Sequence, residues 1–218
     1  MRDEQTRNRW LIYGGGILIQ NVGLYLNARC GLGTSALLGV AYVGGLAWNI
    51  SFGNASLVIY CIYILTQLII RGKNRQWRDL LQLPLALMIS RVYNLLDLVL
   101  GAAVIQANVI RQILALLMGI CLNGIGATLA VNMRLIPTPG DGLVQAFSDR
   151  FGVELGLMKN IMDISCVTLA AVMSLAFLGR LDGVGIGTVA AMLLVGRIIF
   201  LTNRLIGDRI RAAAGMQK

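Results

Sequence analysis

Apolar runs long enough to cross a bilayer recur along this chain, and no other feature limits its fold as tightly. About 20 such residues in a helix cross a hydrocarbon core of roughly 30 Å, and a backbone inside that core must satisfy its own polar groups. Six segments qualify: Leu11–Leu26, Ala55–Ile70, Leu80–Leu100, Ile110–Val131, Leu155–Leu178 and Val184–Asn203. Of the 218 residues, 57% are hydrophobic and 13% charged, whereas a soluble domain carries roughly 25% charged residues. The spans consume the length, so one polytopic membrane domain over residues 1–218 is expected, with no separate soluble domain.

The net charge of +9 would suit nucleic acid, but its distribution argues against that partner. Thirteen of the nineteen Lys and Arg fall in the N-terminal tail, Arg71–Arg78, the Asn132–Arg150 segment and the tail from Arg204. These are the cytoplasmic regions if six segments cross and the N-terminus is inside; the opposite face receives only Arg29, Arg111 and Arg180. That bias is the positive-inside pattern, and it predicts a multi-pass membrane protein with both termini cytoplasmic. The N-terminal tail mixes Arg2, Arg7 and Arg9 with Asp3 and Glu4 and is followed by no small-residue cleavage site, so it is expected to be retained.

Two shorter stretches, Thr34–Trp48 and Asp141–Arg150, do not fit the crossing scheme. The second reaches only about 15 Å at 1.5 Å per residue. If the first crossed alone, the cluster Arg71, Lys73, Arg75 and Arg78 would lie outside, against the charge rule. Each follows a stretch suited to irregular backbone, Cys30-Gly-Leu-Gly33 or Pro137-Thr-Pro-Gly140. Each opens on a capping residue, Thr34 or Ser35 in one and Asp141 in the other. The sequence therefore predicts two re-entrant half-helices whose N-terminal N–H groups point at the centre.

The chain also reads as duplicated, about 10–100 against about 110–205. Asn27-x-Arg29 recurs as Asn132-x-Arg134, Phe52-Gly53 as Phe151-Gly152, and Ser90-Arg91 as Gly196-Arg197. Three crossings per half would make the repeats inverted, an arrangement that puts a binding site at their interface near the midplane. The expected fold is all-α: six transmembrane helices and two half-helices in a 3+3 inverted repeat.

Arg91 and Arg197 fall deep in their spans, where a charge costs at least about 2.5–3.5 kcal/mol and calls for a cavity or partner. They are the expected ligands of an anionic group, with Asp163 as counter-ion or proton relay. Structural ion pairing of the same residues is the competing reading. Thr34, Ser35, Gly140, Asp141 and Gly142 would line the half-helix ends, and Asn123 would line a path or bond across the interface. No histidine is present, which removes Ser-His and Cys-His catalysis and most zinc sites. An enzyme, a cofactor and a metal are not expected. Cys30, Cys61, Cys121 and Cys166 stand singly with no CxxC spacing, as small hydrophobes do.

Pro139-Gly-Asp-Gly-Leu143, Phe151-Gly152, Asp163 and the run Gly179-Arg-Leu-Asp-Gly-Val-Gly-Ile-Gly-Thr188 with Gly196 resemble the YczE/YitT group of bacterial integral membrane proteins. Leu32-Gly-Thr-Ser-Ala-Leu37 is similar to that group's glycine-rich segment but lacks its proline, and Arg197 stands where a proline often follows the late glycine. The resemblance implies a bacterial membrane fold and no particular substrate. The expectation is a transporter or channel-like permease for a small anionic solute. The alternative is a non-transporting membrane partner of another complex. The lipid bilayer and a small anionic solute are the expected partners, nucleic acid is not expected, and homodimerisation is left open.

Overall fold

The computed structural model describes residues 2–105 and 108–215. Among these the chain is helical, without strands. In chain order the helices are α1 (Arg2–Arg29), α2 (Ala36–Ala47), α3 (Phe52–Arg71), α4 (Trp77–Leu80), α5 (Gln82–Ile105), α6 (Val109–Asn132), α7 (Pro139–Phe151), α8 (Leu155–Leu178) and α9 (Ile186–Ala213). Of the six expected spans, the last five correspond to helices long and apolar enough to cross a membrane, namely α3, α5, α6, α8 and α9.

The first differs for a physical reason. With 28 residues, α1 reaches about 42 Å, yet Gln20, Asn21 and Asn27 dilute its apolar run. All three are buried. A helix wrapped by protein need not present a lipid-compatible surface on every side, and α1 lies along α6 at the centre of the molecule.

Glycines set that contact. A Cβ added at Gly16 would come within 2.7 Å of Leu129 Cβ and 3.0 Å of the Gly126 carbonyl, and one at Gly23 within 2.6 Å of the Gly119 carbonyl. As α1 advances its partners in α6 recede, so the two helices are antiparallel, with backbones close enough that only glycine fits. Arg9 and Tyr13 extend the contact by donating to the carbonyls of Met133 (2.8 Å) and Ile136 (2.9 Å).

The two short helices begin inside the molecule. At the start of α2, the Leu37 carbonyl accepts from Tyr63 of α3 (2.9 Å), and Leu37 also packs on Gly140 of α7, where an added Cβ would sit 2.9 Å away. From there α2 runs out to Trp48, which meets Phe177 near the end of α8 with ring centroids 5.5 Å apart. In turn α7 runs the other way, to the start of α8. Each packs across the other half: α2 on α8, α7 on α3. The remaining long helices flank this arrangement, α5 against α3 and α9 against α6.

Candidate functional site

The first turns of α2 and α7 meet through Leu37 and Gly140, and the residues around them form a polar interior. At α7 the expectation of Asp141 as the capping residue is corrected. Thr138 is the N-cap and Pro139 opens the helix, because a fixed φ near −65° and a missing N–H suit that first position. Asp141 falls in the first turn, where it accepts from the Thr138 hydroxyl (2.8 Å) while its N–H donates back (3.3 Å). Its carboxylate thus complements the positive end of α7.

At α2 the N-cap is Ser35, whose side chain makes no capping bond. Thr34 is buried and spent elsewhere: its N–H and hydroxyl both donate to the Gly183 carbonyl, at 2.9 and 3.0 Å. That tie, together with Gly187 N–H donating to Leu32 (2.7 Å), docks the loop before α2 onto the loop before α9. A cavity of about 40 Å³ lies there, lined by Gly31, Thr34, Tyr42 and Asp182 among others. It has room for one to a few waters.

Asp163 of α8 is buried, with the Lys159 ammonium 3.7 Å away on the same helix, and it lies within electrostatic range of Asp141. Around these acids stand three tyrosines that hydropathy alone conceals. Tyr93 donates to Asn21 Oδ1 (2.6 Å), and the Tyr60 hydroxyl lies 3.4 Å from that of Tyr93. Because Tyr93 has committed its proton to Asn21, Tyr60 is the donor in the second bond. Tyr63 commits its proton to Leu37 and touches Cys166 Sγ at 3.6 Å. The available signal was Tyr60 and Tyr63 one helical turn apart, two polar tips on one face of an apolar span.

The structure therefore brings together Asp141, Asp163, Gly140 and the turn after Thr34 and Ser35. It does not bring the two arginines there. Arg91 and Arg197 are exposed, on α5 and α9, and among the described residues neither takes part in an ion pair or hydrogen bond. Helical phase turns them away from the centre, so the expected anion-binding pair does not converge. Gly142 has a packing role: an added Cβ would lie 2.5 Å from Gln67 Oε1 and 2.7 Å from Gln82 Nε2. Asn123 is buried in the α1–α6 contact. Arg29, expected as an ordinary outer-loop charge, pairs with Asp97 at 2.5 Å over the Phe52 ring, and Tyr25 donates to the same carboxylate (2.8 Å).

Long apolar helices around a buried polar interior define an all-helical protein of the multi-pass membrane class. Within it, the chain belongs to a family of unknown function, DUF6198, whose model matches residues 7–204. No curated protein and no solved structure matches the chain.

Proposed function

We propose that the protein is a membrane permease for a small solute carrying negative charge, bound where the first turns of α2 and α7 meet near mid-depth. The observation that carries this reading is that two short helices start face to face in the interior and run to opposite ends. Broken backbone at depth is tolerated where protein buries it or a cavity bathes it, and converging helix N-termini offer N–H donors to an anionic group. In α2 the N–H groups of Ala36 and Leu37 find no acceptor among the described residues.

An inverted repeat underlies the proposal and is supported by a constant register. Counterparts lie 103 positions apart: Gly16 and Gly119, Gly23 and Gly126, Gly39 and Gly142, Gly53 and Gly156. The N-caps Ser35 and Thr138 keep that register, as do the left-handed residues Asn49 (φ 52) and Gly152 (φ 65). The three dipeptide matches expected to mark the repeat are 105, 99 and 106 positions apart and are not register partners. Antiparallel α1 and α6 require an odd number of turnabouts between them, which fits α2 staying within one leaflet. A place within the YczE/YitT group and an inner-membrane location with both termini cytoplasmic belong to the same reading.

Two carboxylates stand where the solute would bind, and like charges repel. An anion therefore enters accompanied by a proton or cation, with Asp163 as the acceptor. Purified protein in liposomes should take up small organic and inorganic anions faster under an imposed proton gradient, and Asp163→Asn should bring uptake to background. Uptake indifferent to both the gradient and Asp163→Asn would remove the acid from the mechanism; no uptake of any anion would sink the permease itself. A second reading, a non-transporting partner of another membrane complex, is favoured by exposed Arg91 on α5. Its discriminator is a co-purifying membrane protein whose retention is lost in Arg91→Leu, with no flux in either form.

A further inference from the structure

The two halves of the molecule differ most in how their last long helix is packed. In the first turn of α3, Gly53 lies so close to α5 that an added Cβ would strike the Ser90 carbonyl and the Asn94 side chain. Beside it Asn94 Nδ2 donates to Asn54 Oδ1 (3.2 Å). The counterpart of Gly53 is Gly156, in the first turn of α8. There an added Cβ would meet nothing nearer than its own neighbour Glu154, at 3.7 Å. No packed face of α9 covers it, because α9 lies along α6 instead. A glycine in a helix costs roughly 1 kcal/mol against alanine. At Gly53 close backbone approach accounts for it; at Gly156 the approach is missing.

We infer that the protein has a second packing of the same elements, in which α9 lies against α8 at Gly156 while α5 comes off α3 at Gly53. The geometry stands on the register of the halves; its purpose, alternating access to the α2–α7 junction, rests on the permease reading. Gly53 lies at the end of the molecule where Phe52 touches Tyr25 and Arg29 of α1, so that end is closed in the state described here. The open gap between α8 and α9 is at the other end, where α1 begins and α9 ends. Exchanging the two contacts opens one end as it closes the other, the rocking expected of inverted repeats.

The exchange also gives Arg197 a role. It is the register partner of Asn94, and Leu157 is the partner of Asn54. In the second packing Arg197 therefore comes to the first turn of α8, where the Glu154 carboxylate can pair with it. A guanidinium exposed in one state acquires its counter-ion in the other, and that difference biases a two-state element.

Cysteine pairs in the full chain, reconstituted in liposomes, test this. Asn54→Cys with Asn94→Cys reports the packing described here, and Leu157→Cys with Arg197→Cys reports the exchanged one. Native cysteines stay, since mass spectrometry of the linked peptides identifies each disulfide. Both pairs should link on oxidation, and in the four-cysteine protein never in the same molecule. Linking either should stop anion uptake, with dithiothreitol restoring it after the first pair is reduced. Failure of the α8–α9 pair to link while the α3–α5 pair does, or both linking in one molecule, overturns the exchange. Mutually exclusive links without any uptake would instead leave the exchange standing and overturn the permease.

Discussion

Gly126→Ala should lower the thermal midpoint of the detergent-solubilised protein sharply, while Gly15→Ala leaves it unchanged or slightly raised. The new methyl at Gly126 strikes backbone, the Gly16 carbonyl at 2.6 Å and the Gln20 amide, and backbone cannot rotate aside as a side chain can. Overpacking a tight interior typically costs about 1–3 kcal/mol and occasionally more. Here the upper end is expected, since relief requires the two central helices to separate along their length. Gly15 points to open space, with nothing within 4 Å, and alanine is the better helix former. Tryptophan fluorescence and size exclusion after heating read both outcomes. Equal midpoints for the two variants would mean that α1 and α6 do not meet through glycine.

Asp79→Ala should be as damaging, by about 3–5 kcal/mol, the cost of leaving a buried charge without its partner. Asp79 is 1% exposed. It accepts from Arg71 (2.7 Å), Gln67 Nε2 (2.8 Å) and the Gln76 N–H (2.9 Å), pinning the turn between α3 and α5. Alanine strands the Arg71 guanidinium, whose side chain is only 11% exposed, and leaves the Gln67 amide without a partner on either side, since its Oε1 already lacks one. Asp79→Asn keeps an acceptor for Gln67 and loses the charge, so its loss should fall between wild type and alanine. A denaturation midpoint in which Asp79→Ala costs less than about 1 kcal/mol, the range of an exposed pair, would contradict the burial.

These effects show which features were legible beforehand. The five lipid-compatible spans were readable because hydropathy sums over a whole helix and tolerates any rotation about its axis. The short helices were readable from length and from the glycine and proline before them, although Pro139 moved the cap of α7 from Asp141 to Thr138. Arg91 and Arg197 misled because depth along a helix is a sequence quantity, whereas the direction a side chain faces depends on which neighbour packs where. The tyrosine cluster escaped for the converse reason: Tyr60, Tyr63 and Tyr93 sit in apolar runs on two helices, and only packing brings their hydroxyls within reach of Asn21, Leu37 and one another. The dipeptides that suggested a repeat stand at inconsistent spacings; Gly16 with Gly119 and Gly23 with Gly126, which meet backbone across the α1–α6 contact, are each 103 positions apart.

Amino-acid order alone determined that this chain is helical, carries helices long and apolar enough to cross a bilayer and includes two short helices, because those properties follow from local chemistry summed along the chain. Tertiary packing decided that α1 and α6 form the centre, that Asp141 and Asp163 share an interior while the deep arginines do not, and that α5 and α9 are held differently. Contacts between residues a hundred positions apart carry no mark in either local segment; they exist only once close approach at glycine has chosen which faces meet.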